Sequence, residues 1–473
     1  MKSIRTIKVV LAALMMMPAM SCEKFFTVKS ENQISDIQEL LQTPDDARNV
    51  LNGAYDVLVN ALNGRVQNMC ELKSSNAAEP VLNNDLSAVY TRSTNFFITT
   101  PGGIYQDLYL AIFRANLLLD YAKNIEGISA SELAQLEAES KFIRAMAHHW
   151  VLKVWSQPWG YQDDSNHPGI VIRSETSQLP LPRSTVRECF AFIQADLLDA
   201  YTTLPESNGF YATKYAAAAL LAYTYWQQGD YANCIDYSNL VINSGLYSLE
   251  PTLDSFHAWT DDAQNTTNPE SIFASNSIQV NNDGRNGGFT GMYRAYGVTG
   301  ATLSMSLEAF NLFAFNGADN RGQWVVQDGS QYQLTRFGTN ETNQQGINFF
   351  DMPMLRLTVL QLIKAESLAA LGNNGSEVVD ILNAIRDRAF GPGIFPVSGA
   401  ATASELVDIA RDEFRKETLG EGLYLDLQMR QGALGENVII RGAPWNCDGM
   451  AIQFPNSEGT GIDFVFNPEG GCE

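Results

Sequence analysis

The sequence is poor in the residues on which most protein chemistry rests. Only four histidines occur among 473 residues. Two of them, His148 and His149, are adjacent, so on a helix they point about 100° apart and cannot share a metal as an i, i+4 pair does. No Cys-x-x-Cys, Gly-x-Ser-x-Gly, His-Glu-x-x-His, P-loop or Rossmann glycine pattern is present. These absences argue against a zinc site, a bound cofactor and the common nucleophile motifs. Cations are scarce as well: 31 Lys and Arg stand against 53 Asp and Glu, for a formal charge of −22. Such a chain repels phosphate backbones, which speaks against nucleic-acid binding and leaves solubility as the plain use of the charge. Past residue 20, no segment reaches ~18 apolar residues without a charge, so no transmembrane helix is expected.

What is present begins at the first residue. Lys2, Arg5 and Lys8 precede an apolar run from Val9 to Met20 that is too short to span a bilayer, the layout of a secretory signal. Ala19-Met20-Ser21-Cys22 follows, and a cysteine at that boundary reads as a bacterial lipobox. Residues 1–21 are thus expected to be removed, Cys22 to carry lipid, and residues 22–43 to form a polar tether. Each buried methylene contributes about 0.8 kcal/mol, so several acyl chains hold a protein where one does not. Five cysteines remain, an odd number. Cys189 and Cys234 fall in helical patterns and suit burial. Cys447 and Cys472 flank the glycine-rich end and are the expected disulfide, which export permits.

Helical periodicity dominates residues 44–246 and 353–431. Pro44-Asp45-Asp46 opens a helix, proline suiting the first turn and the acids the dipole. Further helices are expected over 105–123, 131–155, 184–204 with Ser184 as cap, 211–228, 231–243, 353–371, 377–390 and 403–431. Glu366 falls on an inward face and calls for an arginine partner. The helix–short turn–helix units at Tyr211–Asn243 and Pro353–Phe390 share a rhythm resembling a degenerate tetratricopeptide repeat, a rhythm that generic helix pairs also produce. Residues 65–102 lack a clean period and read as a polar excursion holding Asn76, Asn83, Asn84, Asp85, Tyr90, Arg92, Phe96 and Phe97. Residues 247–352 break the rhythm again and offer Arg285, Tyr293, Arg294, Tyr296, Trp324 and Tyr332. Long irregular stretches inside a compact protein are normally functional.

The order of several segments resembles the SusD/RagB family. Thr43-Pro44-Asp45-Asp46-Ala47 with Leu51-Asn52-Gly53-Ala54-Tyr55 is similar to its first helix. Tyr109-x2-Ile112-x-Arg114-Ala115-Asn116 resembles its second, and Glu139-x2-Phe142-Ile143-Arg144-Ala145 with Trp155-x3-Trp159-Gly160 its most recognisable stretch. Leu181-Pro182-Arg183, Asp351-Met352-Pro353-x-Leu355-Arg356-Leu357, Asn383-x-Ile385-Arg386, Glu421-Gly422 and Asn467-Pro468 continue the set. Departures exist: Asn76 stands where an acid is common, and Ile104-Tyr105 where tryptophan is common.

The resemblance implies a mainly α fold of tetratricopeptide-like helix pairs (44–246), a loop-rich ligand-face insertion (247–352) and a C-terminal helical part with an irregular tail (353–473). It implies a lipid-anchored outer-membrane protein facing the cell exterior. It implies a SusC-like TonB-dependent transporter as partner, a glycan or peptide as ligand, and no catalysis. Sugars present apolar faces and polar rims, which aromatic, amide and guanidinium groups on loops can read. The expected contacts are therefore Asn76, Asn83, Asp85, Tyr90 and Arg92 from the first excursion and Tyr293, Tyr296 and Trp324 from the second. On this reading Trp324→Ala weakens ligand binding without unfolding the protein. Other readings stay open on the residues alone: a repeat-type surface scaffold, and a glycoside hydrolase, since two carboxylates suffice for the latter.

Overall fold

The computed structural model describes residues 41–81, 83–177, 179–251, 253, 268–276, 292, 301–313, 317–336, 352–373, 375–460, 463–469 and 471–472. Cys22, the leader, Arg285, Tyr293, Arg294 and Tyr296 lie outside them. Helix α1, Pro44–Ala61, starts where the sequence says it should. The Thr43 hydroxyl accepts from the Asp46 N–H, and Asp46 accepts from the Thr43 N–H, so two orphan donors of the first turn are satisfied reciprocally.

The excursion after it holds two helices that periodicity did not foresee, α2 (Arg65–Lys73) and α3 (Asn84–Tyr90). The long helices α4 (Thr99–Tyr121) and α5 (Ala130–Trp155) follow, then α6 (Val186–Thr203), α7 (Lys214–Gln228) and α8 (Tyr231–Ile242). Thr185, rather than Ser184, caps α6 and forms a capping box with Glu188. Helices pack in sequence order, α1 on α4, α4 on α5, α5 on α6, α6 on α7 and α7 on α8. Ala216 to Ala219 and Ala222 are all buried on α7, which lets its neighbours approach closely.

The second half is less regular. Strand β1 (Ser271–Ser275) pairs antiparallel with β4 (Met352–Arg356), and β2 (Val325–Asp328) forms a hairpin with β3 (Gln331–Leu334). A short helix, α9 (Leu307–Asn311), and a 3-10 turn, Asn320–Trp324, lie between. The stretch 353–371, expected as one helix, divides into β4 and α10 (Leu357–Ala370), and α10 packs on α8 to extend the helical row. Helices α11 (Gly375–Phe390) and α12 (Ala403–Glu417) follow. The expected helix over 403–431 is broken, because a second helix, α13 (Tyr424–Ala433), starts afresh after Gly420 and Gly422. Both glycines have positive φ, and a Cβ on Gly422 would sit 2.6 Å from the Gln67 carbonyl oxygen. Strands β5 (Ile439–Ile440) and β6 (Ala443–Pro444) precede a tail closed by the Cys447–Cys472 disulfide. Cys70, Cys189 and Cys234 are buried free thiols. No helix among the described residues is long and apolar enough to cross a membrane.

Buried charge joins these pieces. Glu366 on α10 accepts from Arg411 and Arg430 at 2.7 Å each and from the Trp226 indole N–H at 2.7 Å. A larger cluster lies in the second half. Arg321 is fully buried and meets Asp319 at 2.8 Å, Glu413 at 2.7 Å and Glu417 at 3.0 Å. Arg388 bridges Glu270 and Glu417, Arg356 bridges Glu270 and Glu421, Arg386 meets Glu413, and Arg336 meets Glu421. Burial alone would raise the Glu417 pKa; Arg388, Arg321 and Arg356 outweigh it and hold it down at about 2.

Glu417→Gln should leave those arginines short of a carboxylate and destabilise the fold by about 3–5 kcal/mol, read from the urea midpoint. An unfolded glutamate titrates near ~4.3, so between that value and about 2 the unfolded chain binds more protons. The Glu417 contribution is therefore present above pH ~4.3 and is lost as pH falls toward 2, a slope that the variant should lack.

Candidate functional site

The two polar excursions meet. Beyond Ser74 the chain runs extended, and its backbone finds partners in the second excursion, as buried amides must. The Ala78 N–H donates to the Ser304 carbonyl at 2.9 Å, and the Val81 N–H to Thr302 at 2.9 Å. The Ser306 N–H donates back to the Asn76 carbonyl at 2.7 Å. Met305 pairs on its other side with Tyr332 of β3, so segments 76–81, 302–306 and β3 form one ribbon.

This ribbon carries an aromatic pair. Phe310 of α9 and Tyr332 stack with ring centroids 4.7 Å apart, and both are half-buried. Beside them Glu308, an exposed residue of α9, pairs with Arg415 of α12 at 2.8 Å. The Arg415 guanidinium lies 4.3 Å over the Tyr424 ring and donates to Asn76 Oδ1 at 3.0 Å and Ser75 Oγ at 3.3 Å. Aromatic faces, a carboxylate and a guanidinium thus occupy one junction built on hydrogen-bonded backbone. Such a set can cover the apolar face of a sugar and bond to its hydroxyls.

The individually expected residues have mostly other duties. Asn76 is fully buried: its amide donates to Glu71 at 3.3 Å and accepts from Arg415. Asn83 caps α3, accepting the Leu86 N–H at 3.0 Å. Asp85 accepts the Thr99 and Thr100 N–H groups at 3.1 and 2.8 Å, fastening the start of α4; these bonds outweigh desolvation and lower its pKa. Tyr90 lies under the Arg441 guanidinium at 3.9 Å. Arg92 is buried, has φ +59, and donates to the Ile440 carbonyl at 2.8 Å. Trp324 is 3% exposed, with Arg336 4.3 Å over its ring and Phe313 at its edge. Asn76, Arg92 and Trp324 are therefore interior residues. They offer a ligand no surface, and the expectation that Trp324→Ala spares the fold is corrected.

One group was passed over. Phe97, in the turn before α4, is 83% exposed, the most exposed large apolar side chain among the described residues. Phe96 turns inward against Phe466 at 4.7 Å. Two adjacent phenylalanines outside a helix cannot both face inward, which is the signal the sequence held. The tail clamps this turn in place. The Gln453 N–H donates to Thr94 Oγ1 at 2.9 Å, and Asn467 donates to the Trp155 and Ile452 carbonyls at 2.9 and 2.8 Å. A Cβ on Gly449 would lie 1.8 Å from the Arg92 carbonyl oxygen, so only glycine allows that approach.

Electrostatics around the junction are unusual at Glu71. It is fully buried, accepts the Gly420 N–H at 2.7 Å, and leaves its second oxygen without a partner among the described residues. Burial pushes its pKa up to about 7, against the Gly420 and Asn76 hydrogen bonds. His148 is instead pushed down to about 3 by burial, its Nδ1 on the Arg144 carbonyl and its Nε2 accepting the Arg173 N–H. His149 is lowered by burial to about 4. Among the described residues no group of three or more His, Cys, Asp or Glu is placed to hold a metal ion.

Comparison with known proteins bears on this geometry. Residues 20–226 match a family model described as SusD-like, starch-binding and associating with the outer membrane, and residues 223–436 match the model of the SusD family. A SusD-like protein of Formosa agariphila is 25% identical over 240 residues, which is 48% of this chain and 44% of that relative. The matched part therefore spans under half of that relative's length. A SusD superfamily protein from Bacteroides thetaiotaomicron superposes with a TM-score of 0.78 at 21% identity, covering 90% of this chain and all of that one. A laminarin-binding SusD-like protein superposes with a TM-score of 0.68 at 20% identity, covering 90% and 99%. At these identities the structural likenesses speak for the fold.

Trp324→Ala should cost about 3–5 kcal/mol, as buried aromatic truncations do, and lower the melting temperature. An unchanged melting temperature would contradict the interior placement. For Glu71 the sign is opposite to that of Glu417. The folded chain keeps a proton that the unfolded chain has lost between pH ~4.3 and about 7. Its stabilisation is present below that window and is lost as pH rises through about 7. Glu71→Gln should remove that part of the slope, seen as a stability difference from the parent that grows from pH 4.5 to 7.5 and then levels.

Proposed function

Since the chain belongs to the SusD family, we propose that it is a surface-exposed outer-membrane lipoprotein, anchored through Cys22, that captures an oligosaccharide and passes it to a SusC-like TonB-dependent transporter. The observation that carries the reading is the junction. Two stretches far apart in the sequence, 76–81 and 302–306, are hydrogen-bonded into one ribbon bearing stacked Phe310 and Tyr332, with Glu308 and Arg415 at its side. The exposed ring of Phe97 supplies a further apolar face on the same excursion as segment 76–81. The laminarin-binding neighbour makes a glycan the first ligand class to test.

Binding without hydrolysis is the simpler reading of the acids. Glu270, Asp319, Glu366, Glu413, Glu417 and Glu421 are all buried and paired with arginine, which leaves none of these carboxyls exposed to a substrate for proton donation.

The test is affinity electrophoresis and calorimetry of the purified protein on a glycan panel that includes laminarin. Phe97→Ala should leave the melting temperature unchanged, because the ring is exposed. It should weaken binding about fivefold, from half-covering a phenyl ring, ~1 kcal/mol. Tyr332→Ala should weaken it further. Full affinity in both variants would remove the junction from the reading. Release of reducing sugar would overturn binding without catalysis.

A further inference from the structure

The turn that ends α5 and the hairpin that follows α13 carry three half-buried aromatic rings, Trp159, Tyr161 and Trp445, none of which belongs to the junction. Small residues bring them together. A Cβ on Gly432, near the end of α13, would lie 2.2 Å from the Trp445 ring, so the indole occupies the space of the missing side chain. The next residue, Ala433, seats Gly160, where a Cβ would come 2.9 Å from the alanine Cβ. With φ +79, Gly160 turns the chain, and the Tyr161 N–H donates back to the Pro158 carbonyl at 3.2 Å. Tyr161 and Trp445 then meet edge to face with centroids 6.5 Å apart.

The rings are fastened from behind. The Gly160 N–H donates to Ser165 Oγ at 2.9 Å, and Gln157 Nε2 donates to the carbonyl of Cys447, itself held by the disulfide to Cys472. Trp159 stands edge to face with Phe190, and Tyr161 with His167, at 5.3 and 5.0 Å. Trp159 also walls a small cleft with Gln157, Phe190, Gln227 and Met429, so the surface is not flat. Rings fixed in this way lose little freedom on meeting a ligand.

Their polar ends are idle. The indole N–H groups of Trp159 and Trp445 and the Tyr161 hydroxyl have no hydrogen-bond partner among the described residues, and none of these atoms is buried. Buried indoles normally pair this end, as Trp226 does with Glu366; these keep theirs toward water. The half-buried side-chain amide of Asn446, next to Trp445, likewise has no partner among the described residues. Aromatic surfaces can cover the C–H face of a sugar, while two N–H donors, a hydroxyl and an amide bond to its hydroxyl groups.

We propose that Trp159, Tyr161 and Trp445 form a second saccharide platform, with Asn446 and the ring tips reading hydroxyl groups. The saccharide class rests on the reading above; the residues do not.

Hydroxyl-radical footprinting of the parent protein tests this, with gluco-, manno- and xylo-oligosaccharides as probes and calorimetry to show which of them bind. A probe that binds should slow the oxidation of Trp159, Tyr161 and Trp445. Tyr161→Ala should keep the parent's melting temperature to within a few degrees and bind that probe about fivefold more weakly, the loss expected from half-covering one ring. A probe that binds and protects Phe97, Phe310 or Tyr332 but none of the three rings would overturn the platform and leave the junction standing. The reverse pattern would keep the platform and remove the junction. Protection of neither set, or no binding by any probe, would overturn both. Protection of the three rings in intact outer membranes without sugar, and by no sugar in solution, would mark a protein contact and overturn the saccharide assignment.

Discussion

Arg321 is the point on which the second half of the molecule turns. Its guanidinium is fully buried and gives four hydrogen bonds, two to Asp319 and one each to Glu413 and Glu417. Around it, Arg336, Arg356, Arg386 and Arg388 alternate with Glu270 and Glu421. A planar fork suits such a cluster, because it bonds two carboxylates at once where a lysine offers a point charge. The members come from the residue before β1, from the 3-10 turn, from the end of β3, from β4, α11 and α12, and from the turn before α13. Beyond the β1–β4 pair and the packing of α11 on α12, these segments share little regular structure that could align them. Charge aligns them instead. A buried ion pair adds little net stability over a well-packed apolar pair, but breaking one partner away is severe. The cluster therefore specifies an arrangement more than it adds free energy. Glu366, between Arg411, Arg430 and Trp226, does the same for the meeting of α7, α10, α12 and α13.

The consequence is a rigid frame under the loops. The junction rests on Arg415 of α12, and α12 also carries Glu413 and Glu417 into the cluster. On the other side, Arg92 and Arg441 tie the first excursion to the tail through backbone carbonyls, Arg441 taking those of Leu72 and Tyr90 at 2.9 and 2.7 Å. Loops that would otherwise lose entropy on meeting a ligand are thus ordered beforehand, which favours binding.

The helical scaffold was legible because caps and period agreed. Thr43-Pro44-Asp45-Asp46 and Thr402-x2-Glu405 are local signals that the structure uses as written. Helix α2 was not legible, because Val66 through Lys73 are all buried and a helix buried on every side has no amphipathic period. Strand β4 hid in front of α10 because Met352-Pro353-Met354-Leu355 is an apolar run that fits either state. The break before α13 did have a signal in Gly420 and Gly422, yet its reason, the Gln67 backbone from far away in the chain, is tertiary. At the candidate site, residue type was a good guide to which segments matter and a poor one to which side chains face out. Trp324 and Phe97 differ in burial because of Arg336 and Phe313 on one hand and open solvent on the other, and neither follows from composition.

Asn76 shows how a departure from the family pattern can be locally coherent. The resemblance leads one to expect an acid at that position, and here it would stand beside Glu71, whose own carboxyl is buried and pushed up to about 7. Two carboxylates in one dry site cannot both ionise without a large penalty. An amide avoids the conflict because it carries a donor and an acceptor on one planar group. Its Nδ2 serves Glu71 and its Oδ1 takes Arg415, while its backbone carbonyl accepts from Ser306 of the second excursion. Asparagine thus links the buried carboxyl, the guanidinium of the junction and the ribbon itself in a single residue. An ionised aspartate could accept from Arg415 but could not donate to Glu71, so an amide at 76 is the side chain that serves both partners.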